Sequence, residues 1–434
     1  MERVHVGLIG IAVLLALLGL RVPIGVALSL VAFVGVGIVL NWNVAFGLLS
    51  NIPYDFIGDW SLSAVPMFIF MGFIATEMRL TSTLFAAMRV FLAGLPGSLA
   101  VSSVAACAMF AAASGSSVAT SASMSRIAVP AMLKLGYNPA LASGTVASGG
   151  TLGSLIPPSI LMVLFGIFAE VSIRQLFAAG VLPGLLTAAM FMAMIMIRVM
   201  IWPKLAPEVD QRPTMYERMV VLQQVWPLPV LVIGVLGGIY AGLFTPTEAG
   251  AVGSALAILI AVLQRRFTWP GFWRSAQQAA TGTASIFIIA VGAGLFSRFM
   301  AFTGVPAFLA DLLLGMGDSP LLLILQISVL YIILGMFIDS IGIMLLTLPI
   351  LLPMLVAADV DLIWFGIIVI KLLEIGLVTP PVGLNVFVMK SSLGNLVELS
   401  QIFRGVLWFI AVDIVVLGLL IAFPQISLWL PSMM

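Results

Sequence analysis

Charge is scarce in this chain. Of its 434 residues only 8% are Asp, Glu, Lys or Arg, and 62% are hydrophobic. An ordinary soluble globular protein is thereby excluded. Histidine is nearly missing. His5 is the only one, so no multi-histidine metal site can form within the chain. Cys107 is the only cysteine, which excludes an internal disulfide framework and a CxxC redox pair, and its expected role is small-residue packing. A net charge of +1 offers no electrostatic footprint for nucleic acid, which is not an expected partner. Walker A and HExxH patterns are also absent. This argues against an ATP-driven pump and a zinc protease.

What the chain has is apolar runs. They recur near the span length of about 20 residues, so the lipid bilayer is the expected solvent and the fold class is an all-α polytopic membrane protein. The first run, 6–20, has a counterpart at 228–243 that opens the second half, which speaks against a signal peptide. Helices are expected over 4–20, 22–40, 62–78, 82–93, 98–113, 118–133, 138–170 and 176–200. A second set is expected over 226–243, 247–264, 277–298, 305–315, 320–336, 341–356, 362–390 and 402–423. Residues 201–225 are the one long polar stretch and read as a cytoplasmic linker.

One pattern occurs twice. Residues 153–159 read Gly-Ser-Leu-Ile-Pro-Pro-Ser, and 376–382 read Gly-Leu-Val-Thr-Pro-Pro-Val, an offset of 223. Each copy lies in a long apolar segment, where Gly and a Pro pair must break a helix. Broken helices at matching positions in two halves point to a transporter and its binding site. Gly94 and Gly317 repeat the spacing, as do Pro130 and Pro353.

Segments 98–133 and 320–356 are too long for one span and carry small or polar residues at their centres. They read as re-entrant hairpins. Each half then crosses the membrane five times, an odd number, so the halves are expected as two inverted-topology repeats. The first covers 1–200, with a scaffold (1–97), hairpin (98–133), broken helix (138–170) and closing helix (176–200). The second covers 226–434, with hairpin 320–356 and broken helix 362–390. Thirteen of the eighteen basic residues fall on one side of this arrangement, which by the positive-inside rule puts both termini outside.

A broken helix presents free carbonyls on one side of the break and N–H groups on the other. The first suit a cation and the second an anion. The candidate cation ligands are Ser114, Ser116, Ser117, Gly153 and Ser154 in the first half, and Asp339, Ser340, Gly376 and Thr379 in the second. These are hard oxygen donors, suited to an alkali or alkaline-earth ion. With no carboxylate in the first set, Na⁺ is favoured there over a proton relay. Asp339 is an intramembrane carboxylate, a functional candidate in its own right. Candidate substrate contacts are Ser117, Pro157, Pro158, Ser159, Pro380, Pro381, Asn385 and Arg126. Lys371 and Glu374, three apart on one helix face, read as a local ion pair. Asp413 has no evident partner.

Residues 115–120 (Gly-Ser-Ser-Val-Ala-Thr), 153–159, 246–250 (Pro-Thr-Glu-Ala-Gly) and 374–385 (Glu-Ile-Gly-Leu-Val-Thr-Pro-Pro-Val-Gly-Leu-Asn) carry a resemblance. In them the chain resembles the large membrane subunit (DctM-type) of tripartite ATP-independent periplasmic (TRAP) transporters, over essentially its whole length. The resemblance implies a Na⁺-coupled secondary importer of small organic anions such as dicarboxylates, keto acids or sialic acids. It implies an elevator mechanism, in which a transport domain slides against a scaffold in the bacterial inner membrane. It further implies a periplasmic substrate-binding protein and a small four-helix membrane subunit, here expected as a separate polypeptide. Na⁺ is the coupling ion and no cofactor or enzymatic activity is expected. Arg126 stands where the family pattern has a small residue.

Two alternatives compete. One is a stand-alone divalent-anion/Na⁺ symporter, since Gly-Leu-x-Thr-Pro-Pro is shared with that class. The other is an intramembrane aspartyl protease, from Tyr54-Asp55 and Gly-Met-Gly-Asp at 315–318. Both protease motifs fall in expected loops, where turn chemistry accounts for the second.

Overall fold

The computed structural model describes residues 3–80, 83–207, 213–314 and 320–434, and every regular element in them is helical. The first half begins with α1 (Arg3–Gly19), α2 (Ile24–Val39), α3 (Trp42–Gly58), α4 (Ala64–Glu77) and α5 (Leu84–Phe91). It continues with α6 (Ser98–Ser114), α7 (Ser117–Lys134), α8 (Pro139–Leu155), α9 (Ile160–Phe168) and α10 (Ile173–Ile201). A surface helix, α11 (Met215–Val225), leads into α12 (Pro227–Val232) and α13 (Gly238–Tyr240), which flank a π-helical turn at Ile233–Gly237. Then come α14 (Pro246–Leu263), α15 (Trp269–Thr303), α16 (Val305–Leu314), α17 (Pro320–Gly335) and α18 (Ser340–Ala357). The chain ends with α19 (Leu362–Val378), α20 (Leu384–Leu393), α21 (Leu399–Ala422) and the short α22 (Gln425–Leu428). This is an all-α polytopic membrane protein. Among the described residues seven helices are long and apolar enough to cross a bilayer, or eight if 215–225 and 227–240 form one bent span.

Local chemistry sets many of the helix starts. Asn138 caps α8, its Oδ1 accepting from Ala140 N at 2.9 Å, with Pro139 at the first helical position. Thr245 and Glu248 form a reciprocal capping box at α14, again with Pro246 leading the helix. Asp361 accepts from Ile363 N and Trp364 N at 2.8 and 2.9 Å to start α19. Where Pro pairs follow α8 and α19, the helices stop, and both Pro157-Pro158 and Pro380-Pro381 are cis.

The centre of the molecule is built from α8 and α19. Every residue from Leu141 to Leu155 is buried, as is every residue from Phe365 to Val378. Helix α8 is rich in Gly, Ala, Ser and Thr, so α6, α7 and α21 approach it closely. Membrane helices associate by such packing, because lipid supplies no hydrophobic drive between them. Gly335 of α17 and Gly376 of α19 show the limit. A Cβ on Gly376 would lie 2.6 Å from the Gly335 Cα, so neither position accepts a side chain. Outside this body, α2 packs along α15, and α4 packs against both α14 and α15.

Two expectations change. Residues 42–58 were expected to be loop within the 1–97 scaffold, yet they form α3. Asn43, Ser50, Asn51 and Asp55 interrupt its apolar run, so span-length hydropathy misses it, while the Asn41 side chain caps it by accepting from Val44 N. Only Ala45 of α3 is buried, so it lies on the exterior. The helix expected at 277–298 runs for 35 residues as α15, longer than a bilayer requires.

Candidate functional site

Six helix ends border one small cavity of about 120 Å³. The N-terminal turns of α7, α9, α18 and α20 contribute Ser117, Ile160, Ser340 and Leu384, and the C-terminal turns of α8 and α19 contribute Ser154 and Leu377. Each N-terminus carries roughly half a positive charge and each C-terminus roughly half a negative one. The same cavity is therefore bordered by partial charges of both signs.

The turn between α6 and α7 is tied to the first break. Gly115 adopts a left-handed conformation (φ +60°), and its carbonyl accepts from Ile160 N at 3.3 Å. A Cβ there would sit 2.8 Å from the Pro158 carbonyl oxygen, so only glycine lets the turn seat on the break. Ser116 caps α7, its Oγ accepting from Ala119 N at 3.4 Å. The Ser117 Oγ donates to the Thr151 carbonyl at 3.1 Å and pairs with the Ser154 Oγ at 2.5 Å. Across the cavity Asp339 caps α18, accepting from Gly342 N at 2.9 Å. Ser340 is buried beside it, its Oγ without a hydrogen-bond partner among the described residues. Asp339 is the one ionisable group among the described residues that line the cavity.

Five of the expected ligands thus meet there: Ser116, Ser117, Ser154, Asp339 and Ser340. The others do not line it. Ser114 braces the turn from within, its Oγ 2.9 Å from the Thr120 Oγ1. Gly153 lies under the turn, where a Cβ would be 2.6 Å from the Ser116 carbonyl oxygen. Gly376 is the close-packed partner of Gly335. The Thr379 hydroxyl is spent on the Ile375 carbonyl at 2.6 Å, closing the last turn of α19. Pro157, Pro158, Pro380 and Pro381 form the breaks themselves. Ser159 and Asn385 are buried, and neither the Ser159 Oγ nor either Asn385 amide atom has a partner among the described residues. Arg126 is exposed on α7 and does not reach the cavity. Of the protease pattern, Tyr54 is exposed on α3, and 315–318 lies outside the described residues.

The ion pair expected between Lys371 and Glu374 is only part of a larger group. The shorter contact of Lys371 Nζ is to Asp413 Oδ1 of α21, at 2.6 Å, against 3.4 Å to Glu374 Oε2. Thr187 Oγ1 of α10 accepts at 3.3 Å, and the Phe191 ring lies 5.8 Å away. The sequence separation of 42 between Lys371 and Asp413 hid this pairing. The available signal was that two intramembrane charges of opposite sign each need a partner.

Comparison with known proteins shows the family. A family profile described as tripartite ATP-independent periplasmic transporter, DctM component, matches residues 11–426. The chain belongs to this family. It is 35% identical over 376 residues to the C4-dicarboxylate TRAP transporter large permease protein DctM of Pseudomonas aeruginosa, covering 86% of each chain. Identity to the sialic acid TRAP transporter large permease protein SiaM of Vibrio cholerae is 30%, over 96% of this chain and 97% of that one. It is also 33% identical over 413 residues to the isethionate TRAP transporter permease protein DctMQ of Oleidesulfovibrio alaskensis, covering 94% of this chain and spanning 64% of that protein's length. In fold it is similar to the Alcanivorax borkumensis YdaH transporter, whose topology is described as unusual. The TM-score is 0.63 at 14% identity, covering 89% of this chain and 90% of that one. A TRAP permease is a transporter component and not an enzyme.

Proposed function

We propose that this TRAP permease is the large transmembrane subunit of a binding-protein-dependent, Na⁺-coupled importer of small organic anions, of the dicarboxylate, keto acid or sialic acid class. The observation that carries this reading is the cavity bordered by four helix N-termini and two C-termini, with serine hydroxyls and Asp339 on its wall. Na⁺ sits against the oxygens of Ser116, Ser117, Ser154, Asp339 and Ser340, all hard donors. Partial positive charge from the helix N-termini receives the substrate carboxylate. No Lys or Arg is among the described lining residues, so helix ends rather than an arginine clamp neutralise the anion in this arrangement.

The halves act as inverted repeats, supported by the order of helices in each and by the basic-residue bias. The body around α8 and α19 slides against the layer of α2, α4, α14 and α15 as an elevator. Both termini face the periplasm from the bacterial inner membrane. The partners are a periplasmic binding protein and a small membrane subunit, a reading supported by the tripartite, periplasmic description of the family. The test is reconstitution in proteoliposomes with an inward Na⁺ gradient and a panel of dicarboxylates, keto acids and sialic acid. Uptake is expected only with both partners present, and only in Na⁺. Equal uptake in choline would refute the coupling ion, and robust uptake by the chain alone would establish the stand-alone symporter instead.

A further inference from the structure

The charges of the Lys371 cluster do not balance. Lys371, Glu374 and Asp413 have side chains with 0% exposure, and two carboxylates face one ammonium. Fully ionised, the cluster carries one net negative charge in the most buried part of the molecule, where an uncompensated charge is costly. The distances divide the roles. Asp413 Oδ1, at 2.6 Å, has the geometry of a charge-assisted hydrogen bond and is the counter-ion of Lys371. Glu374 Oε2, at 3.4 Å, is held loosely; the second oxygen of each carboxylate, Glu374 Oε1 and Asp413 Oδ2, has no partner among the described residues, so the distance to Lys371 is what separates the two.

A second cation could restore balance, but none is in reach among the described residues. Helices α8, α9, α18 and α22 pack against α19 and contain no titratable residue. On α10, Arg174 Nη2 donates to the Tyr240 carbonyl, and Arg198 lies over the Trp408 ring. On α17, the Tyr331 hydroxyl is paired with Thr347. On α20, Lys390 Nζ donates to the carbonyls of Gly394 and Val397. On α21, besides Asp413, Arg404 is exposed. A metal ion beside the Lys371 ammonium would face like-charge repulsion. The remaining neutralising species is a proton.

We propose that Glu374 is a proton-binding site of this protein, carrying a proton at neutral pH while Lys371 and Asp413 remain an ion pair. Glu374 lies one helical turn before Leu377, which lines the cavity from the last turn of α19. Loss of the proton places a full negative charge next to that helix end, where it favours a cation in the cavity. The cluster's charge imbalance stands whether or not Na⁺ is the coupling ion.

The decisive measurement is infrared spectroscopy of the full chain in lipid nanodiscs, with glutamate ¹³C-labelled at its side-chain carboxyl. A carboxylic-acid carbonyl band that shifts with the label is expected at neutral pH and is expected to vanish in Glu374→Gln. Thermal unfolding adds an independent readout. Glu374→Gln replaces a neutral acid by a neutral amide of the same shape, whereas Asp413→Asn strips Lys371 of its counter-ion. The loss of Tm is expected to be at least about threefold larger for Asp413→Asn. Absence of the labelled acid band from the wild-type protein at neutral pH overturns the proposal, and so does an equal loss of Tm in the two variants. If Glu374→Gln fails to fold, the labelled wild-type spectrum alone decides.

Discussion

Gly115→Ala is the sharpest perturbation of the cavity. Gly115 and Gly304 end their helices in nearly the same backbone conformation, φ +60° ψ 13° and φ +72° ψ 11°. At either site alanine costs about 1–2 kcal/mol for the left-handed backbone. Their surroundings differ. A Cβ at Gly304 meets nothing within 4 Å, while one at Gly115 lies 2.8 Å from the Pro158 carbonyl oxygen. Relieving that contact to an ordinary 3.4 Å separation moves the turn off the break by more than half an ångström. The Ser117–Ser154 hydroxyl pair and the Gly115–Ile160 hydrogen bond both span that junction. Losing about one hydrogen bond's net contribution, near 1–1.5 kcal/mol, amounts to roughly a tenfold fall in apparent Na⁺ affinity. The assay is Na⁺-dependent uptake in the complete reconstituted transporter, comparing the two variants at matched protein levels. Gly304→Ala is expected to lose stability but keep a wild-type Na⁺ dependence, whereas Gly115→Ala is expected to need about tenfold more Na⁺. A half-saturating Na⁺ concentration within about twofold for both variants would show that seating the turn on the break does not govern ion binding.

Two further outcomes are expected. Arg126→Ala is expected to leave uptake within about threefold of wild type, because the side chain is exposed and off the cavity; abolished uptake with normal folding would put Arg126 on the substrate path. Single cysteines at Gln264 and Ser432, in a Cys107→Ala background, are expected to label from opposite faces, Gln264 from the cytoplasm and Ser432 from the periplasm. Labelling of both from one face would rule out the inverted arrangement with its odd number of crossings.

The amino-acid sequence alone determined that this is a helical membrane protein, and that its long apolar segments break at 157–158 and 380–381. Both follow from local physics: apolar runs of span length need lipid, and a proline pair cannot continue a helix. The family was also legible, because Gly115, the Pro pairs and residues 374–385 are short strings whose backbone demands leave few substitutes. Helix α3 was not legible, since its polar residues defeat a hydropathy window while a single cap, Asn41, starts it. Tertiary structure decided which oxygens share a cavity. Thr379 and Ser114 had the right chemistry at the right spacing, yet their hydroxyls close local turns, whereas Ser340 lines the cavity and its hydroxyl has no partner among the described residues. It also decided the partner of Lys371. An i, i+3 neighbour such as Glu374 can be read along one helix, but the shorter bond to Asp413 depends on how α21 packs against α19, and burial at long range leaves no periodic trace in the chain.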